Sequence, residues 1–328
     1  MTDIPAEISG ESLRQNGVTA WLADSVDRAA RVQPDGVGNF LCTVGDPILL
    51  DGTKATVRTH FVVKDANGYP RVKALSEKLA TLAIDYCIPR SRLEEANLYY
   101  EQTRSAEKFS QLHKEAVNLF TSLEKSGEGG ELLLYFLLEA ILKLPQILCK
   151  MPLKTSRQMH VHGTDGLHAK VLPGGNIALY WGESKMHATV SSAVDDCFKS
   201  IAPFLVGEMS DVRTRDLLLI RDHLDMGAQE VTDALVRYFI SDNPEAGKIE
   251  FRGACLVGFD MDNYPTPHDA DGISIRKEIA TAMQKWSKRI LKRVTEHELL
   301  SFEIEIFCIP VPSVDEFRAN VRSSLGLK

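Results

Sequence analysis

The sequence predicts an α/β protein, a mixed sheet with flanking helices behind an N-terminal α/β unit. Three observations predict it. Residues 55–63, 177–185, 249–259 and 301–309 alternate in polarity or run continuously apolar, with the lengths and bounding turn residues of strands. Several other segments carry apolar residues at helical intervals. The run from Ile177 to Trp181 is apolar on both faces, which buries its strand inside a mixed sheet.

Taken in order, residues 1–16 are polar and read as a flexible tail, and 18–31 show the first helical spacing. Gly36, Gly38 and Pro47 interrupt the chain before the strand at 55–63, in which His60 reads as a packing or hydrogen-bonding residue. Asn67-Gly68 is a turn, and 71–86 reads as a helix stopped before Pro89. Leu98, Phe109, Leu112, Val117 and Phe120 recur at helical intervals over 91–123, in one long helix or two, up to a glycine-rich loop at 125–130. That loop lacks the Gly-x-x-x-x-Gly-Lys-Ser/Thr order of a phosphate loop, and Glu128 would repel phosphate. An almost wholly apolar helix from Gly129, closed by Pro145 or Pro152, belongs at the centre of the core. Its Glu139 faces either solvent or a basic neighbour.

Further on, residues 186–205 form a helix with the stripe Val190, Val194, Phe198, Ile201 and Phe204. Two helices follow, around 217–220 and over 228–240, and 271–293 is strongly amphipathic between the last two strands. The expected division is an accessory region over 1–105 and a main domain with a C-terminal extension over 106–328.

The chain has 328 residues, 44% of them hydrophobic and 25% charged, as in an ordinary globular protein with a substantial core. Its most apolar stretch, Leu132 to Leu148, is interrupted by Glu139, Lys143 and Pro145, so no membrane span is expected. The acidic N-terminus has no signal-peptide pattern, which makes the cytoplasm the expected location. Cys42, Cys87, Cys149, Cys197, Cys255 and Cys308 lie far apart with no Cys-x-x-Cys pair, and read as buried thiols.

The chemistry concentrates between His162 and His187. Period-2 geometry puts Glu183 and Lys185 on the same face of the strand that begins at Ile177. Asp165, between Gly163 and Gly166, sits where the preceding strand begins, so its carboxylate can meet Glu183 across a hairpin. Glu and Lys alternating on a strand ordinarily mark a solvated face, but here they follow a buried run, where an unpaired charge is costly. Two carboxylates hold a hard cation such as Mg²⁺ and leave places for water and a phosphate oxygen. The adjacent lysine can orient or deprotonate an attacking water.

An Asp followed by Glu-x-Lys on paired strands resembles the PD-(D/E)xK nuclease superfamily, in which a helix bearing another Glu comes first. The matching helix here places Glu131 near its start, with Glu128 a less favoured stand-in; a capping role in the helix dipole is the alternative for Glu131. Thr164 stands where the superfamily name has Pro, which leaves Asp165 less firmly matched than Glu183 and Lys185. The Gly-Glu-led helix, Gly-x-Asp-Gly-x-His at Gly163–His168 and Trp-Gly-Glu-Ser-Lys at Trp181–Lys185 together resemble the DUF1837 family, the HamA nuclease subunits of Hachiman antiphage defence. That resemblance lies in residues 126–205 and extends to the rest by length and order of elements. It implies a restriction-endonuclease-like core, a DNA nuclease using Mg²⁺ or Mn²⁺, and a HamB-like helicase subunit as partner. Asp165, Glu183 and Glu131 would bind metal, Lys185 would position water, and His168 and His187 would be helpers at most. The net charge of −7 points the same way, because a chain this acidic holds DNA poorly by itself.

Two rival classes remain open from the residues. His160-x-His162 on a strand end resembles the zinc-binding pair of the metal-dependent amidohydrolases, although the further series of strand-end ligands is absent. The acidic charge equally suits a silent scaffold for a helicase. Arg213, Arg215 and Arg221 are candidates for holding a nucleic-acid strand, against a role in ion pairs. The acidic stretch Asp260–Asp271 lacks the spacing of a calcium loop and reads as a strand end with a helix cap.

Overall fold

The four expected strands are neighbours in one sheet of a computed structural model, which describes residues 10–327 apart from 122, 124–125, 154–162, 207–210, 241, 245–247, 262–263 and 265–272. The described elements begin with α1 (Gly10–Asp27), β1 (Leu41–Thr43), β2 (Ile48–Leu49) and β3 (Lys54–Val62). Next come α2 (Val72–Thr81), α3 (Ala83–Cys87), α4 (Arg90–Thr103), α5 (Glu107–Leu119) and α6 (Glu128–Leu142). The hairpin of β4 (Gly166–Val171) and β5 (Ile177–His187) follows, then α7 (Val190–Leu205), α8 (Asp211–His223) and α9 (Gln229–Val236). β6 (Ile249–Asp260), α10 (Ile273–Glu296), β7 (Glu303–Val311) and α11 (Val314–Ser324) complete the chain.

The strand order is β1-β3-β7-β6-β5-β4, with β2 pairing on β3. The inner strands β3, β7, β6 and β5 are parallel, and β1, β2 and β4 are antiparallel to their neighbours. This is the expected mixed α/β sheet. Its central strands are buried on both faces, which is why β5 and β6 read as continuous apolar runs. Helices α2, α6 and α11 cover one face, and α7 and α10 the other.

Several boundaries differ from expectation. α1 starts at Gly10, inside the stretch read as a tail. The helix expected over 71–86 is divided at Leu82 into α2 and α3. After Pro89 the structure takes the two-helix alternative, as expected, with the break where Arg104 turns left-handed (φ 59°) and its N–H caps the carbonyl of Tyr100. β5 continues to His187, and α7 begins only after Thr189, whose hydroxyl accepts the Ser192 N–H at 3.2 Å. α11 was not expected from its polar sequence, yet it buries Val314, Phe317 and Val321 and is capped by Ser313. Asp260, in the acidic stretch, accepts the Val314 N–H at 2.6 Å and so ties the end of β6 to α11. Strands from both sides of residue 105 share the one sheet, since β3 pairs with β7 over six residues from Lys54 to Thr59. Arg58 and Glu305 join the same two strands by an ion pair of 2.7 Å.

Candidate active site

β5 sorts its side chains between the two helix layers. A Cβ at Gly182 would meet Leu134 of α6 at 3.1 Å, and one at Gly130 of α6 would meet the Ser184 hydroxyl at 3.1 Å. Trp181 instead stacks on Phe204 of α7 with ring centroids 6.0 Å apart, and Glu183 hydrogen bonds Ser200 of α7. Alternation carries Lys185 to the Glu183 side, and its ammonium donates to Glu183 Oε1.

Asp165 lies one residue before β4. Its N–H donates to the Gly182 carbonyl at 2.9 Å, extending the β4–β5 ladder. Its Oδ2 accepts the Ser184 N–H at 2.7 Å and the Ser184 hydroxyl at 3.0 Å. The carboxylate is thereby clamped at the residue between Glu183 and Lys185. Glu131, in the first turn of α6, accepts from the Tyr86 hydroxyl at 3.0 Å, and the same hydroxyl lies 3.2 Å from the Asp165 carbonyl. Glu131, Asp165, Glu183 and Lys185 all line one cavity of about 550 Å³, together with Lys199, Ser200 and Arg318.

Burial, then the nearby Asp165 charge, raises the Glu183 pKa to about 8 against the attraction of Lys185. Burial also raises Asp165, with Lys185 and the Ser184 hydrogen bonds opposing it. Burial disfavours the charge on Lys185, but Glu183 and Asp165 outweigh it and hold the ammonium above the ordinary lysine value. Lys185 thus does not by itself offset the cost of ionising both buried carboxyls, the electrostatic condition that a bound cation relieves. The donors are hard carboxylate oxygens, and no cluster of three or more ligand-type side chains is present among the described residues. That set fits Mg²⁺ or Mn²⁺, ions held by one or two carboxylates with water completing the shell, better than an all-protein cage.

The other sequence candidates fall elsewhere. Glu128 is buried and accepts the Thr121 N–H at 2.8 Å, so it braces the loop before α6 instead of entering the cavity. His168 does not line the cavity: it is buried with its Nδ1 2.8 Å from the Leu144 carbonyl, and burial lowers its pKa to about 4. His187 lines the cavity and pairs with Asp196 at 3.0 Å. His160 and His162 lie outside the described residues. Glu139 has the basic neighbour, not solvent: it is wholly buried 3.9 Å from Arg90 and accepts the N–H groups of Arg31, Val32 and Gln146 at 2.5–3.0 Å. Arg213 is a packing residue, buried with its guanidinium 4.9 Å from the Phe251 ring centre, and Arg221 pairs with Asp222 at 2.7 Å. Arg215 is exposed on α8.

Sequence reasoning missed Tyr86, which reaches the site from α3 with no local signal. It also missed Lys199 and Ser200, visible only as polar breaks in the α7 stripe, and Arg318, whose guanidinium donates to the Met186 carbonyl at 2.7 Å. Behind Asp165, Lys150 and Asp216 form a buried ion pair of 2.9 Å, and Lys150 also donates to the Thr164 carbonyl at 3.2 Å. Gly163 (φ 120°) passes so close that a Cβ there would lie 2.8 Å from both charged groups.

A search of the curated proteins finds no match. The family model described as HamA matches residues 39–325, a span that includes every strand of the sheet and Tyr86, Glu131, Asp165, Glu183, Lys185 and Arg318. No described helix is long and apolar enough to cross a membrane. With nearly its whole length matched, including the hairpin that builds the cavity, this chain belongs to the HamA family and is a protein of Hachiman defence.

Proposed function

We propose that the chain is a metal-dependent DNA nuclease, a phosphodiester hydrolase held in check by a HamB-like helicase subunit. The observation that carries this reading is the meeting of Asp165, Glu183 and Lys185 in one cavity, with Glu131 tied to Asp165 through Tyr86. Asp165 and Glu183 would hold Mg²⁺ or Mn²⁺, with Glu131 assisting at the rim. The ion would supply Lewis-acid polarisation of the phosphoryl group and acidify the attacking water.

The chain's own groups do the rest. Ser184 aims the Asp165 carboxylate, and Ser200 and Lys185 aim Glu183. Lys185 is kept protonated by its two carboxylate neighbours, so at neutral pH it acts as a donor to water or to the charge developing on the phosphoryl oxygens and not as a free base. Lys199 and Arg318 are the further cations on the cavity wall, where flanking phosphates would lie.

Regulation by a partner is supported by the net charge of −7, which weakens unassisted attraction to a polyanion. The test is plasmid degradation with Mg²⁺ by the chain co-expressed with its helicase partner, with and without ATP. Glu183→Ala and Lys185→Ala should each lower cleavage by roughly 100-fold or more while the complex still assembles. Undiminished cleavage by either purified variant would remove the site assignment.

A further inference from the structure

Within this acidic chain, α10 carries a net positive charge. Its sequence holds seven Lys and Arg residues against two Glu, and no acid occurs between Glu278 and Glu296. Ile279, Met283, Trp286, Ile290 and Val294 form the buried face of the helix. At 100° per residue, Lys277, Lys285, Lys288 and Lys292 fall within an arc of about 80° on the opposite side, and all four are exposed. The 15-residue span from Lys277 to Lys292 makes this stripe about 22 Å long, roughly two-thirds of a duplex turn. Only Lys292 has an ion-pair partner among the described residues, Glu296 at 3.6 Å.

The stripe is held in a fixed relation to the cavity. Arg289 and Arg293, on the flank of α10, both bind Asp195 of α7, at 2.6 and 2.7 Å. One turn along α7 from Asp195 is Lys199, on the cavity wall. A basic track therefore runs from the lysine stripe, across a carboxylate already neutralised by two guanidinium groups, to Lys199 and the carboxylates beyond. Scattered surface lysines on a helix usually alternate with acids in (i, i+4) pairs; here the solvent side holds only Glu278 and Glu296, with no acid between them across Lys285, Lys288 and Lys292, while the chain as a whole carries net charge −7.

We propose that the solvent face of α10, through Lys277, Lys285, Lys288 and Lys292, holds the sugar-phosphate backbone of duplex DNA beside the cavity. The choice of DNA rests on the nuclease reading above. Contacts of this kind are sequence-independent and release counterions, so they leave a signature in the salt dependence of binding.

The test is fluorescence anisotropy of the full chain with a labelled 30-base-pair duplex in EDTA, from 30 to 150 mM salt. Weak binding at low salt is expected from the wild type. Replacing all four lysines (Lys277→Gln, Lys285→Gln, Lys288→Gln, Lys292→Gln) should weaken it at least tenfold and lower the slope of log K against log salt by about 3 to 4. The corresponding four Lys→Arg changes should restore both. Glu183→Gln should retain the wild-type slope, which separates holding from cleavage. A stripe-dependent slope in a protein that cleaves nothing with any metal would keep this surface and discard the nuclease reading. Equal affinity and slope for wild type and the Lys→Gln variant, no wild-type binding at 30 mM salt, or loss of a protein partner with DNA binding intact, would overturn the proposal.

Discussion

Glu183→Gln should abolish cleavage and stabilise the metal-free protein, and the size of the stabilisation should depend on pH in a defined direction. Burial and Asp165 raise the Glu183 pKa from 4.5 to about 8 even with Lys185 beside it. Because the folded value is above the unfolded one, the folded protein keeps a proton that the unfolded chain releases between these pH values. The stability of the neutral carboxyl is complete below pH 4.5 and is lost as pH rises through about 8. Glutamine is neutral throughout and can still accept from Lys185 and Ser200. The variant should therefore match wild type near pH 4.5 and exceed it above pH 8 by on the order of 3–5 kcal/mol. For a chain this long, that is about 4–7 °C in melting temperature. Scanning calorimetry in EDTA at pH 5, 7 and 9 measures the gap. Saturating Mg²⁺ should narrow it, since an ion bound only by wild type at about 100 times its Kd adds roughly 2.7 kcal/mol. A gap that stays constant from pH 5 to 9, or a variant less stable than wild type at pH 9, would refute the argument that a buried, repelled carboxylate sits at this position.

Two further changes probe the supports of the site. Tyr86→Phe keeps the ring against Phe120 and Tyr135 but cuts the link between Glu131 and the Asp165 carbonyl. It should cost about 1–2 kcal/mol of stability and lower cleavage roughly tenfold through displacement of Glu131; wild-type turnover would show that the link positions nothing. Lys150→Met strands Asp216 in the interior, with a side chain only 1% exposed, and should cost about 3–5 kcal/mol in urea unfolding, most of it recovered by adding Asp216→Leu. Equal stability of the single and double variants would mean that the pair carries no such penalty.

The local parts of this protein were written in the sequence. The apolar run ahead of Glu-x-Lys required a buried strand, and the period of 2 required Glu183 and Lys185 to share a face, as they do. The apolar α6 and the amphipathic α10 followed from their repeats, because a stripe or a wholly apolar surface admits few environments. Motif spacing also led to the family that the chain proves to belong to.

Only the tertiary structure decided which distant groups meet. Strand pairing is not encoded within either strand, so the sequence could not show that β3 lies against β7 and brings the N-terminal region into the sheet. Polar residues carry no periodic signal of their own, so Tyr86 beside Glu131, Lys150 beside Asp216, and Arg289 and Arg293 around Asp195 became visible only where packing closed the distance. The same physics separated Glu131 from Glu128 and placed His168 in the interior: burial sets what a charged or polar group must bond to, and burial is a property of the whole fold.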